Sequence, residues 1–220
     1  MRQAIKYLVA KTYKPLLENY LSRTRGFAFQ NIRLMIPPEV FHPGFFYSTK
    51  LLLRCLSRLQ MVNKTFLELG AGSGLLSIYA AQKGASVTAS DINPFAVATI
   101  RENAVQNGVV LTVIESDLFA AINPQAFDFI LINPPYYKKT PATWKDYAWY
   151  CGENGEFFRG LFAGLDNYMH ATSVVLMVVS DACDLIMIKT VAEEHLFCLD
   201  CVLKNHCLLE KNFVYRIQKK

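Results

Sequence analysis

The 220-residue sequence contains no uninterrupted apolar run approaching the ~18 residues that a membrane-spanning helix requires. Its first segment, MRQAIKYLVAKTYK, lacks the long apolar core and small-residue cleavage site of a secretory signal, so a cytoplasmic chain with no membrane role is expected. No internal repeat and no low-complexity linker interrupts it, which points to one domain with at most a small appendage. Charged residues make up only 19% against 52% hydrophobic, a balance that excludes a disordered chain and suits a large buried sheet. A domain of this size buries roughly 70% of the surface its unfolded chain exposes and stands without staples. The six cysteines, Cys55, Cys151, Cys183, Cys198, Cys201 and Cys207, lie mostly in apolar stretches, where a reduced thiol behaves as a small hydrophobe.

Acidic residues are scarce at one end. Residues 1–64 hold 11 Lys and Arg against only Glu18 and Glu39, a net +9, and the remainder carries −4. A basic arm on a mildly acidic body can steer nucleic acid or a ribonucleoprotein toward the chain. It is equally the pattern of a solvated helical face, and both readings stay open.

From Arg2 to about Leu21, apolar residues at near-helical intervals around Pro15 predict two short helices. Gly26 to Val40 alternates as a hairpin or irregular cover, and a helix is expected from Ser48 to Leu59. After Lys64 short apolar runs alternate with helical segments. Strands are expected at Thr65–Leu69, Ser86–Ser90, Val109–Ile114, Phe127–Ile132 and Val174–Val179, with two more near Leu196–Leu203 and Phe213–Ile217. The intervening helices fall at Gly74–Lys83, Pro94–Asn107, Glu153–Met169 and Ala182–Glu194. Repeated strand-helix units imply an α/β fold, a mostly parallel seven-stranded sheet covered on both faces, with an antiparallel C-terminal hairpin at one edge. Ligands in such a sheet bind beyond the carboxyl ends of the strands. The long stretch from Tyr136 to Val175 begins YYKKTPATWKDYAWYCG, rich in aromatics and lysine, and has the character of a substrate lid. Its Lys138, Lys139, Trp144, Lys145 and Trp149 suit phosphate contact and base stacking, or a hydrophobic cover over the site.

Two polar features stand on this frame. In TFLELGAGSG, Gly70, Gly72 and Gly74 end a strand and open a helix, where backbone must turn sharply and approach a ligand. The dinucleotide pattern G-x-G-x-x-G needs a glycine at position 75, where Leu75 stands, so the loop suits a nucleoside without a pyrophosphate. Asp91 ends the second strand 21 residues after Gly70 and can accept ribose hydroxyls, or cap the helix that follows; Ile92 can pack on an adenine face. Asp117, with the Leu118 backbone beside it, can accept from an adenine amino group or merely form a turn. Glu68 lies inside an apolar strand, where an unpaired charge is costly, so a cation is expected beside it: a bound methionine ammonium or a buried structural partner. Near the C-terminus, His195, Cys198, Cys201, His206 and Cys207 lie close enough to raise a zinc site. Cysteines three apart on a strand point to opposite faces, however, and a packed edge hairpin without metal is the better fit.

ELGAGSG, SDINP, ESDLF and LINPPYY stand in the order of class I S-adenosylmethionine-dependent methyltransferases, and the chain resembles that family over about residues 40–220. The resemblance implies a three-layer Rossmann-like fold, an S-adenosyl-L-methionine cofactor and two parts: an N-terminal extension, residues 1–60, capping the site, and a methyltransferase domain, residues 61–220. It also implies cofactor contacts from Thr49, Glu68, Gly70, Gly72, Gly74, Asp91, Ile92, Asp117, Leu118 and Asn133. NPPY marks the members that methylate planar nitrogens, including adenine methyltransferases and release-factor glutamine methyltransferases. An amide or aromatic amine is a poor nucleophile because its lone pair is delocalised. Two acceptors holding its N–H groups, the side-chain oxygen of Asn133 and the carbonyl of Pro134, favour the pyramidal geometry the transition state needs. Pro134 and Pro135 stiffen the loop, and Tyr136 offers a flat face for stacking. In that picture Asn133, Pro134 and Tyr136 are catalytic, while Pro135, Tyr136 and Phe46 contact the acceptor. VFHPGFFYSTKLLLRCL and YCGENGEFFRGLF resemble flanking segments of the release-factor enzymes, with Phe45, Phe46 and Ser48 where carboxylates are common and Thr49 at the hydroxyl position. The expected acceptor is a protein glutamine, on a release factor or ribosomal protein, with a base in structured RNA as the alternative. A small-molecule amine, a non-catalytic scaffold and a dehydrogenase remain as lesser readings.

Overall fold

The computed structural model describes residues 16–206 and 210–220. Residues 16–20 are helical; the rest of the two N-terminal helices expected up to Leu21 lies outside the described residues. Strands β1 (Arg25–Phe29) and β2 (Ile32–Ile36) form an antiparallel hairpin, followed by α1 (Tyr47–Leu56). Then come β3 (Thr65–Leu69), α2 (Leu75–Gln82), β4 (Ser86–Asp91), α3 (Pro94–Gln106), β5 (Thr112–Glu115) and β6 (Phe127–Ile132). The chain ends with α4 (Glu156–Gly164), β7 (Met169–Ser180), α5 (Leu185–Glu194), β8 (Phe197–His206) and β9 (Lys211–Lys219).

Seven strands make one sheet in the order β5-β4-β3-β6-β7-β9-β8. The first five are mutually parallel, and β9 runs antiparallel to both β7 and β8. The C-terminal hairpin therefore closes one edge, as its alternation predicts, with the last strand inserted inside β8. Side chains alternate across the sheet. Leu67, Ile130, Val175 and Met177 face α4 and α5 and pack on Phe158, Phe162, Ile188 and Val191. Phe66, Leu131, Val178 and Val214 face the other way, onto Leu52 and Leu56 of α1, Ile78 of α2 and Ile32, Leu34 and Ile36 of β2. The hairpin and α1 thus share one buried cluster with the sheet. Among the described residues no helix is long and apolar enough to cross a membrane.

Local chemistry moves several element ends from where periodicity puts them. Val109 to Leu111 are not in β5, because the Val109 N–H closes the end of α3 onto the Ala104 carbonyl (3.1 Å) after Gly108 turns at φ +65°. The Ser48–Leu59 helix stops at Leu56, and the Arg58 and Leu59 N–H groups close single turns onto Cys55 and Leu56. The expected Glu153–Met169 helix begins only after Gly155, which sits at φ +73° and cannot continue a right-handed helix. It ends at Gly164 in a tight turn, and Met169 already belongs to β7, opposite Phe127. Residues Ala182 to Asp184 lie outside α5, because the Asp184 carboxylate caps it by accepting from the Met187 N–H (3.0 Å). Cys198 and Cys201 lie on β8, and no three His, Cys, Asp or Glu side chains among the described residues could hold a metal ion. Cys207 is outside the described residues.

Candidate active site

The register of the sheet brings the sequence-distant motifs together. Leu69 pairs with both Ser90 and Ile132, and Asp91 pairs with Glu115. Gly70, Asp91, Asp117 and Asn133 therefore follow the carboxyl ends of four adjacent parallel strands. Chain order reverses between β3 and β6, the point at which such sheets open a crevice. A cavity of about 660 Å³ fills it.

Gly70, Gly72 and Gly74 have φ of +70°, +54° and +80°, the left-handed region where an L side chain is strained. Gly74 opens α2, and a Cβ there would also press on Ile100 at 3.3 Å. Asp91 shapes this loop: its Oδ2 accepts from the Gly72 N–H (2.8 Å) and its Oδ1 from the Asn93 N–H (2.9 Å). The cap of α3 is Asn93, whose side chain accepts from Phe95 N–H (3.0 Å) and donates to the Glu39 carbonyl (2.9 Å). The Asp91 carboxylate keeps acceptor capacity beyond these backbone bonds. Asp91 and Ile92 both border the cavity.

Glu68 is 4% exposed and also borders the cavity. Its Oε2 accepts from the Ser77 hydroxyl, and no salt bridge reaches it among the described residues. Burial pushes its carboxyl up to about 8, with the nearby Asp91 adding to the rise. Burial raises Asp91 too, opposed by the backbone N–H groups of Asn93, Gly72 and Ile92. The cation expected beside Glu68 is therefore not supplied by a structural pair among these residues.

Asp117 and Leu118 line the opposite wall. Leu118 sits at φ +47°, a strained conformation for a γ-branched residue, held by the Ser116 hydroxyl donating to its carbonyl (2.9 Å). Gly160 of α4 leaves room for it, since a Cβ there would meet the Leu118 side chain at 2.7 Å.

Beyond β6 lies the acceptor side. Asn133 is half-buried and borders the cavity with Pro135; Pro134 is buried behind them. Tyr136 is half-buried against the core on the α4 side, and its hydroxyl lies 3.4 Å from Asn133 Oδ1. Its ring is not among the residues bounding the cavity, whose aromatic wall here is Trp144, Tyr147 and Tyr150. Thr49, buried in the first turn of α1, borders the cavity, whereas Phe46 sits one layer out. Phe46 packs with Phe41 (centroids 4.7 Å apart) and Trp149 (4.9 Å), a cluster that joins the chain before α1 to the segment after β6.

That segment, residues 137–152, is closed on itself. Tyr137 N–H donates to the Trp149 carbonyl (2.8 Å), and Cys151 N–H to the Tyr137 carbonyl (2.9 Å). A capping box between Thr143 and Asp146 fixes the turn Trp144–Ala148 at its tip. Lys138 is paired with Asp184 (2.8 Å), Lys139 lies over the Tyr150 ring (4.8 Å), and Trp149 is cover. Trp144 stacks on Tyr147 (5.7 Å) and stays exposed.

Trp144, expected for stacking or cover, borders the cavity; periodicity and spacing pass over Glu39, Phe41, Tyr147 and Glu156, which border it too. Only the aromatic richness of the segment after NPPY signals Tyr147. Five carboxylate residues, Glu39, Glu68, Asp91, Asp117 and Glu156, border the cavity, and no described Lys, Arg or His does.

Comparison with known proteins accords with this geometry. Residues 31–149 match the family model described as methyltransferase small domain. A Methanocaldococcus jannaschii protein named for protein N5-glutamine methylation is 37% identical over 157 residues, covering 69% of this chain and 77% of that one. The E. cuniculi Mtq2–Trm112 complex, described as responsible for methylating the eRF1 termination factor, superposes with a TM-score of 0.64 at 20% identity, over 83% of this chain and 99% of that one. The T. thermophilus 16S rRNA N2 G1207 methyltransferase, solved with AdoMet and guanosine, gives 0.63 at 20% identity, over 90% of this chain and 50% of that one.

Proposed function

The chain belongs to the methyltransferase small domain family and is an S-adenosylmethionine-dependent N-methyltransferase, and we propose that its acceptor is the side-chain amide nitrogen of a glutamine in a release factor or ribosomal protein. One observation carries this choice: the cavity is bordered by carboxylates and by no described cation. Such walls suit a cofactor bearing a sulfonium and an ammonium, and a neutral amide, and they repel a phosphate chain drawn toward the mouth. Two of the three lysines after NPPY are already occupied, by Asp184 and by Tyr150.

The residues present fit the cofactor. The glycine loop and Asp91 would hold the ribose, Ile92 and Leu118 the adenine faces, Asp117 the adenine amino group, and Glu68 the methionine ammonium, with Thr49 closing the cap side. The cofactor supplies an activated methyl group. Asn133 Oδ1 and the Pro134 carbonyl accept the two amide N–H groups, turning the nitrogen lone pair toward that methyl. Holding the amide pyramidal costs its resonance at the binding step, so positioning supplies the rate. Pro135 keeps the acceptors in place. Residues 1–60 act as the cap and residues 61–220 as the catalytic domain.

Base methylation in structured RNA is the second reading, favoured by the +9 charge of residues 1–64 and by the exposed Lys50 and Arg54 on successive turns of α1, with Arg58 exposed in the turn that follows. Tritiated cofactor with ribosomes, transfer RNA or release factor, with and without nuclease, separates the two. Label that survives nuclease and is lost to protease is expected; label lost to nuclease overturns the glutamine assignment.

A further inference from the structure

The residue that NPPY offers for stacking is turned away from the cavity. The Tyr136 ring packs against the core beneath α4, and its only polar atom approaches Asn133 Oδ1 at 3.4 Å. An amide oxygen can only accept, so the phenol proton points at Asn133. Ser48, 4% exposed in the first turn of α1, is the hydroxyl neighbour of the same phenol and favours charge on its oxygen. A hydroxyl has one proton, and Tyr136 gives its proton to Asn133, so a hydroxyl beside it can act on Tyr136 only as a donor. Burial raises the phenol far above its ordinary range, so Tyr136 remains a donor at any working pH.

We propose that Tyr136 is a positioning residue whose hydroxyl links Ser48 of the cap to the Oδ1 acceptor of Asn133, and that Trp144 and Tyr147 supply the stacking surface for the acceptor amide. This rests on the reading that Asn133 Oδ1 receives an acceptor N–H. A side-chain amide has two orientations of similar shape and opposite polarity. The flipped Asn133 would present N–H to an oxygen already accepting from Ser48 and leave the phenol proton without an acceptor. The Ser48–Tyr136–Asn133 chain therefore selects the orientation in which oxygen faces the acceptor. It also makes that orientation depend on the cap being seated, since Ser48 stands on α1. The exposed faces of Trp144 and Tyr147, 42% and 37% accessible and bordering the cavity, are placed where a planar amide can lie.

Tyr136→Phe keeps the ring and removes only the hydroxyl. It is expected to lower kcat about 10- to 100-fold while the acceptor KM and S-adenosylhomocysteine affinity stay within about 3-fold. Ser48→Ala should lower kcat in the same direction by less, and the double variant should be no slower than Tyr136→Phe, because both act through one chain. Trp144→Ala should raise the acceptor KM about 10-fold with kcat retained. Wild-type kcat in Tyr136→Phe, or multiplicative losses in the double variant, would overturn the proposal; Ser48→Ala decides alone if the Tyr136 variant does not fold. All variants are assayed on whichever acceptor the wild type labels. Failure of the glutamine reading thus shows as wild-type label on RNA, and failure of this inference as unchanged variant-to-wild-type ratios.

Discussion

Glu68→Gln should abolish a proton release that accompanies cofactor binding. In the free protein Glu68 lies buried at the cavity edge of an apolar strand with the Ser77 hydroxyl on its carboxyl, and burial lifts that carboxyl from 4.5 to about 8. Asp91 stands close by, where backbone N–H donors on both oxygens oppose the rise that burial causes, and its charge adds to the rise at Glu68. At pH 7 a group titrating near 8 is about nine-tenths protonated. A methionine ammonium seated beside Glu68 favours the ionised form, so binding must expel about 0.9 proton per site. The same shift governs stability. The folded state holds this proton more tightly than the unfolded one, so the contribution is complete below about pH 4.5 and is lost as pH rises through about 8. At ~1.4 kcal/mol per pH unit, the loss across that window is about 5 kcal/mol. Gln keeps the shape and still accepts from Ser77, so its urea midpoint should lose this downward slope. Its cofactor affinity should fall about 10- to 100-fold for want of the charged partner. Calorimetric titration in two buffers of different ionisation enthalpy reads the proton directly. A wild-type release near zero at pH 7, with a stability profile no steeper than that of Glu68→Gln, would refute the reasoning.

Asn133→Ala should cut single-turnover methyl transfer roughly 10³-fold and leave cofactor affinity within a few-fold, since it removes an acceptor needed at the transition state. Asp91→Ala should do the reverse, weakening S-adenosylhomocysteine at least about 30-fold in calorimetry, because it takes away the ribose acceptor and unpins the Gly72 N–H. Asn103→Ala should cost about 3 kcal/mol in urea unfolding and speed hydrogen exchange in β2. Its side chain, 1% exposed, accepts from Met35 N–H (2.9 Å) and donates to the carbonyls of Met35 (3.1 Å) and Ser73 (3.0 Å).

The cofactor half of the site is legible in the sequence because each of its residues sits where an apolar run ends, and a parallel sheet places all such ends along one edge. Gly70, Asp91, Asp117 and Asn133 need only the strand pattern to be brought together. The acceptor half follows from contacts between segments remote in sequence, which period and spacing do not encode. Phe41 meets Trp149 across more than a hundred residues, and the direction of the Tyr136 ring depends on how the 137–152 segment closes. Asn103 and Asn107 show the limit most sharply. Four apart, the one on α3 and the other at its C-terminal cap, they read as ordinary polar positions, yet they stand on one side of the helix. There their amides pair with the free backbone edge of β2: Asn107 accepts from Arg33 N–H (2.9 Å) and donates to its carbonyl (2.7 Å), and Asn103 does the same at Met35. Two side chains thus stand in for a strand that the hairpin lacks. Because Asn103 also donates to Ser73, between Gly72 and Gly74, seating the hairpin and holding the glycine loop are one event. A change in the hairpin should therefore be felt at the cofactor before it is felt in the core.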